Sequence, residues 1–283
     1  MNPISTSAAQ LTEADRAVLA RAKQALERQP LAMKLAAAVG APIERLIERL
    51  PAPAHDTVAA ATRVALEKCL QAALASVGQS GPVAPGPSKP SRDLWHKVAV
   101  ATTGAAGGAF GLVALPAELP VTTALMFRSI CDIARSEGED LSSAETRLQC
   151  LSVFGLGGAA TRHASADEDA DFGYFITRGA LAQTISKASS ELASKGIAAP
   201  GASALMRLTN AIAARFSVQV SEQVAAKSIP AIGAVLGALV NTAFIDHFQQ
   251  TAHGHFSVRR LERQYGADEV RLAYQAIERS PGG

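Results

Sequence analysis

The residues best equipped for chemistry crowd into one stretch near the C-terminus. Asp246, His247, His253, His255, Arg259, Arg260, Glu262 and Arg263 follow a run with no charge at all. Asp246, His247 and His255 are the candidate metal ligands, because carboxylate and imidazole suit zinc or iron. A metal-dependent hydrolase is the enzyme such a trio would serve. The spacing speaks against it. Neighbours on a helix point about 100° apart, so Asp246 and His247 diverge. His253-Gly254-His255 would put both imidazoles on one face in a strand rather than in a helix. No His-Glu-x-x-His or Glu-x-x-His pair is present. Capping and helix-packing histidines are therefore expected, with no metal and no other cofactor.

Glu118 is the more informative acid. It lies between Pro116 and Pro120 in an apolar segment, and a charge in such a setting needs a partner. Arg128, Arg215 and Lys227 are the cations that could supply one, and a buried ion pair is expected ahead of a catalytic carboxylate. Arg128 and Asp132 are four residues apart and share a helix face. Asn241 brings an amide into an otherwise apolar run. Glu118, Arg128, Asp132 and Asn241 thus form the candidate polar cluster. Gly155-Leu156-Gly157-Gly158-Ala159-Ala160 fits G-x-G-x-x-A, but no β-α-β pattern surrounds it, so it reads as a glycine-rich helix end. With no G-x-S-x-G elbow and no P-loop, no pattern dictates a reaction, and the enzyme reading is the weaker one.

The elements that must position these residues are helical. Alanine is abundant, aromatic residues make up 5% of the 283, and no Asn-Gly hairpin signal occurs, which favours packed helices over sheets. Thr12-x-x-Asp15 opens the first helix. Helices follow over 31–39, 42–50 and 57–77. The prolines at 116 and 120 are expected to break a helix that restarts near Leu119 and ends at Gly138, a left-handed cap. Ser142-x-x-Glu145 is a capping box for a helix to Phe154, residues 174–195 and 203–226 form two more, and Asp268 is the N-cap of the last. Two glycine-rich segments stand out. One carries Gly104, Gly107, Gly108 and Gly111, the other Gly233 and Gly237. Glycines at i and i+4 thin a helix face, so Gly107, Gly111, Gly233 and Gly237 are the expected close-packing positions.

Residues 78–91 carry four prolines and three glycines and read as a linker. The expected organisation is a helical N-terminal extension over 1–77, the linker over 78–91, and an all-α multi-helix domain over 92–283. Lys and Arg number 27 against 25 acids, a net charge of +2, too balanced for a nucleic-acid footprint. Three scattered cysteines, Cys69, Cys131 and Cys150, read as buried thiols in a reducing compartment. The N-terminus lacks the apolar core of a signal peptide. Ser228 to Ile245 has the minimum length of a membrane span but is too rich in Ala and Gly, and lacks aromatic belts. A cytoplasmic protein in peripheral contact with a membrane is the expectation.

Four stretches carry a resemblance: ALPAELPVTTALMFRSICDIARSEGEDL, ETRLQCLSVFGLGG, ARFSVQVSEQ and PAIGAVLGALVNTAFIDHFQQTAHGHFSVRRLERQYG. Together, from about Trp95 to Tyr274, they resemble the EcsC family. The resemblance implies a bacterial, mostly helical protein with no known catalytic mechanism, in a family named for an operon that encodes an ABC transporter linked to secretion. A non-enzymatic accessory or binding protein at the cytoplasmic face of the membrane follows, with a membrane surface or a transporter as partner. A lipid-binding carrier with an apolar ligand is the further alternative to the hydrolase.

Overall fold

The computed structural model describes residues 11–27, 30–75, 93–94, 96–98, 100, 115–157, 170–195, 203–228 and 233–277. They are mostly helical, joined by turns, with no strand among them. The ten helices used below are α1 (Glu13–Leu26), α2 (Leu31–Val39), α3 (Ile43–Glu48), α4 (Ala52–Ala75), α5 (Leu115–Ser136), α6 (Ala144–Leu156), α7 (Ala170–Lys195), α8 (Ser203–Lys227), α9 (Gly233–Tyr265) and α10 (Ala267–Ala276). The described residues 93–94, 96–98 and 100, which precede α5, are helical. Gly104, Gly107, Gly108 and Gly111 lie outside the described residues.

The 33-residue α9 is the axis of the molecule and touches α1, α2, α5, α6, α8 and α10. Its uncharged half and its charged half form one continuous helix. Phe244 and Phe248, one turn apart, meet Phe154 of α6 and Phe216 of α8 in a cluster with ring centroids 4.8 to 6.1 Å apart. Four fully buried rings of this size dominate the local packing energy. The N-terminal helices join the same core. Leu35, Ile43, Val58 and Leu66 are buried together with Ile130, Leu151, Ile212 and Phe248. The described part of the expected extension over 1–77 is therefore packed against the main helices, α4 on α5 and α8, and α1 on α9.

Most boundaries follow local chemistry. The Thr12 hydroxyl accepts from the Asp15 amide at 3.1 Å and caps α1. Gly138 adopts φ 80°, and the Glu139 amide reaches back to the Ala134 carbonyl at 3.0 Å, closing α5 in the left-handed manner only glycine accepts without strain. Three expectations are corrected. Residues 115–136 form one helix through Pro120, because Pro116 and Pro120 fall in its first described turns, where at most one internal hydrogen bond is lost. Ser142 is no capping box: its amide and hydroxyl bond the Asp140 carboxylate at 2.9 and 2.7 Å, and Ser143 precedes α6. Gly266, not Asp268, is the N-cap of α10, with Asp268 inside its first turn.

Candidate functional site

Glu118 and Lys227 each border an uncharged stretch, and the fold pairs them. Glu118 sits near the described start of α5 and Lys227 at the last residue of α8, each at the helix end whose dipole favours its charge. Lys227 Nζ donates to Glu118 Oε1 at 2.6 Å, with only about a tenth of either side chain exposed (11% and 10%). Asn241 of α9 completes the group. Its Nδ2 donates to the same carboxylate oxygen at 3.1 Å and to the Val100 carbonyl at 3.3 Å, while its Oδ1 accepts from Gln223 Nε2 at 2.7 Å. Gln223 is one turn before Lys227 and so shares its face. Burial lowers the Lys227 pKa from its ordinary value, and the adjacent carboxylate works in the opposite direction. Four side chains, Glu118, Lys227, Asn241 and Gln223, are bonded to one another here, which makes the cluster a lock between α5, α8 and α9. No nucleophile is part of it.

Of the expected cluster, Glu118 and Asn241 come together. Arg128 and Asp132 do not join them. Arg128 is exposed. Asp132 lies 14 residues along α5, about 21 Å by helical rise, and accepts from Arg135 Nη2 at 2.8 Å. Gly237 is buried, on the same helix as Gly233. The glycines shown to permit close approach are others. A Cβ on Gly254 would come within 2.7 Å of Leu26 Cγ and 3.0 Å of the Ala22 carbonyl, so α1 lies directly against α9 there. A glycine set mid-helix between two histidines was the signal for it.

The candidate metal ligands are dispersed. Asp246 accepts from Lys97 Nζ and Gln250 Nε2, both at 2.6 Å. His247 and His255 are eight residues apart, about 12 Å along the helix. His247 Nε2 donates to the Gly157 carbonyl at 2.6 Å, which fixes its tautomer. His255 Nδ1 meets the Tyr174 hydroxyl at 2.9 Å. His253 pairs with Asp93 at 2.7 Å. Among the described residues, no three His, Cys, Asp or Glu side chains gather to hold a metal ion. Burial pushes the His247 pKa down to about 4, and that of His255 well below its ordinary value with help from Arg178 and Arg259. Both imidazoles are neutral packing elements.

The charged end of α9 has a different task, which spacing alone did not reveal. Arg259 Nε donates to Glu139 at 2.9 Å, Arg263 bonds the same carboxylate, and Arg260 Nε donates to Glu137 at 2.9 Å. The acidic turn after α5 is thereby gripped from three sides. Arg178 of α7 forms a two-pronged pair with Glu262, at 2.7 and 2.5 Å. At the α2–α3 corner, Ala32, Met33, Ala36, Gly40, Ala41, Pro42 and Glu44 line a groove of about 370 Å³ that is open to solvent. No described helix is long and apolar enough to cross a membrane.

The model of the EcsC protein family matches residues 88–261, through most of α9. No curated protein and no solved structure matches the chain.

Proposed function

From the premise that this chain belongs to the EcsC protein family, we propose a non-enzymatic accessory protein that binds the inner face of a membrane and serves a transporter there. One observation carries the reading. Residues 98–117 and 228–245 contain no charged side chain, and both runs have an end at the Glu118–Lys227–Asn241 lock. The lock thereby joins the sequence positions at which one uncharged run ends and the other begins. Leu94 and Val98, one turn apart, Val121 next to the lock on α5, and Leu239 on α9 are largely exposed. Apolar side chains of this kind, on chain too weakly apolar to span, suit reversible contact with a bilayer surface. The polar groups of the lock fit the same reading, because Glu118, Lys227, Asn241 and Gln223 are engaged with one another.

The test is flotation of the purified chain with phosphatidylglycerol–phosphatidylcholine vesicles. Leu94→Glu with Val98→Glu, or Leu239→Glu alone, should lower the bound fraction several-fold. Ile176→Glu and Leu272→Glu, equally exposed but far along the chain from the lock, should leave it unchanged. A wild-type chain that stays wholly unbound at low salt would sink the membrane reading.

A further inference from the structure

Asp93, Lys97 and Val100, at helical spacing ahead of α5, meet α9 through polar contacts. His253 Nε2 pairs with Asp93 Oδ2 at 2.7 Å, and Gln249 Nε2 donates to the Asp93 carbonyl at 3.1 Å. Lys97 Nζ donates to Asp246 Oδ1 at 2.6 Å, and Asn241 Nδ2 to the Val100 carbonyl at 3.3 Å. The register is antiparallel, 93 against 253 and 100 against 241. Leu94 and Val98 each follow one of these contact positions, so they lie about 100° round the helix, and they are 76% and 52% exposed. Lys97 therefore stands between the face held by α9 and an apolar face turned to solvent. Its pair with Asp246 is itself partly open, with 31% and 30% of the two side chains exposed. Asp246 also accepts from Gln250 Nε2 at 2.6 Å and lies 3.9 Å from Lys34 Nζ. An ion pair this exposed adds little stability, and its lysine is exchangeable.

We propose that the Lys97–Asp246 pair is an autoinhibitory contact in membrane binding: at an anionic bilayer the phosphodiester of a lipid headgroup replaces Asp246 as the partner of Lys97. The inference rests on the membrane reading above and adds its regulation. A lysine is a point charge on a flexible four-carbon stem. Its head can swing from α9 to the side of Leu94 and Val98 while the helix keeps its place. Ammonium and apolar side chains then meet the bilayer from one side, the first at the headgroups and the others at the acyl boundary. A basic residue brought to such a surface contributes about fivefold in binding. Asp246 competes for that charge from inside the molecule, so part of the affinity is withheld until the surface offers phosphate in excess.

Flotation of the full-length protein over a series of vesicle concentrations tests this. Asp246→Asn should bind phosphatidylglycerol–phosphatidylcholine vesicles about fivefold more tightly than the parent, with no gain on pure phosphatidylcholine. Lys97→Gln should cancel that gain in the double variant. Asp268→Asn removes the same charge from an exposed site on α10 and should change nothing. A second measurement needs no variant. Carbodiimide joins a carboxylate to an ammonium in contact, so it should link Lys97 to Asp246 in the free protein, and the yield should fall several-fold on saturating phosphatidylglycerol vesicles. A parent chain that binds while Asp246→Asn binds no more tightly, an equal gain in Asp268→Asn, a gain that survives Lys97→Gln, or an undiminished cross-link on vesicles would each overturn the proposal and leave the membrane reading standing. Parent and Asp246→Asn both unbound would remove the two together.

Discussion

At the scale of single residues, the decisive fact is that one carboxylate receives both an ammonium and an amide in a nearly closed environment. Removing one partner of such a pair strands the other charge. Glu118→Gln is therefore expected to cost about 3 kcal/mol in urea unfolding, and Glu118→Gln with Lys227→Met to recover most of it. A double variant as unstable as the sum of both single losses would show that the pair is not coupled. The two buried imidazoles make a second prediction. Their folded pKa values are depressed, so below pH 6.5 the unfolded chain takes up protons that the folded chain refuses. Stability is complete above pH 6.5 and falls toward pH 4, by about 1.4 kcal/mol per pH unit for each histidine fully engaged. His247→Gln, which can still donate to Gly157, should flatten this slope in pH-dependent unfolding. A slope identical to that of the parent would count against a neutral, buried His247. Glu118's need for a cation was legible, since a lone charge amid apolar residues demands one, and Lys227 borders the other uncharged run. The choice of Lys227 over Arg128 was not, because sharing a face on one helix says nothing about which helix lies opposite.

At the scale of helices, local signals succeeded where they had no competitor. Thr12 caps α1 and Gly138 closes α5 as their chemistry requires. Ser142 failed because Asp140, two residues earlier, captured its hydroxyl and amide, an alternative that short polar side chains offer to any turn. The close contact of α1 with α9 rests on Gly254, and it makes a third prediction. Gly254→Ala gains about 1 kcal/mol of helix propensity, but its new methyl meets Leu26 and the Ala22 carbonyl. Leu26 can turn aside; a backbone oxygen cannot. The expected net result is a loss of roughly 1 kcal/mol, with amide exchange accelerated in α1 and not in α5. Uniform or unchanged exchange would argue against a tight α1–α9 contact.

For the whole molecule, composition predicted the all-α class, while the association of the two ends of the chain was hidden. A Pro/Gly-rich stretch at 78–91 suggests separation, and an amphipathic stripe announces that a helix is covered without naming the cover. In the fold, Leu35, Ile43, Val58 and Leu66 complete the core beside Phe248 and Ile212. A chain truncated to residues 92–283 would expose the partners of all four. It should bind the dye ANS and lose near-ultraviolet circular dichroism while retaining helical far-ultraviolet signal. Cooperative unfolding with native near-ultraviolet signal in the truncated chain would instead restore the picture of an independent C-terminal domain.

Lys23 is buried on α1, and its ammonium donates to the carbonyls of Tyr274 and Ile277 at 3.1 and 2.8 Å, at the far end of α10. The first described helix is thus fastened to the last described one. During synthesis α1 must wait with its apolar side unprotected until the ribosome has released more than 250 further residues, and at about 5–20 residues per second that interval lasts on the order of tens of seconds. Contacts of such long range also slow the final assembly of the chain. The nascent protein is consequently a natural client for chaperones that shield exposed helices, and its soluble yield should fall when translation is slowed near the C-terminus.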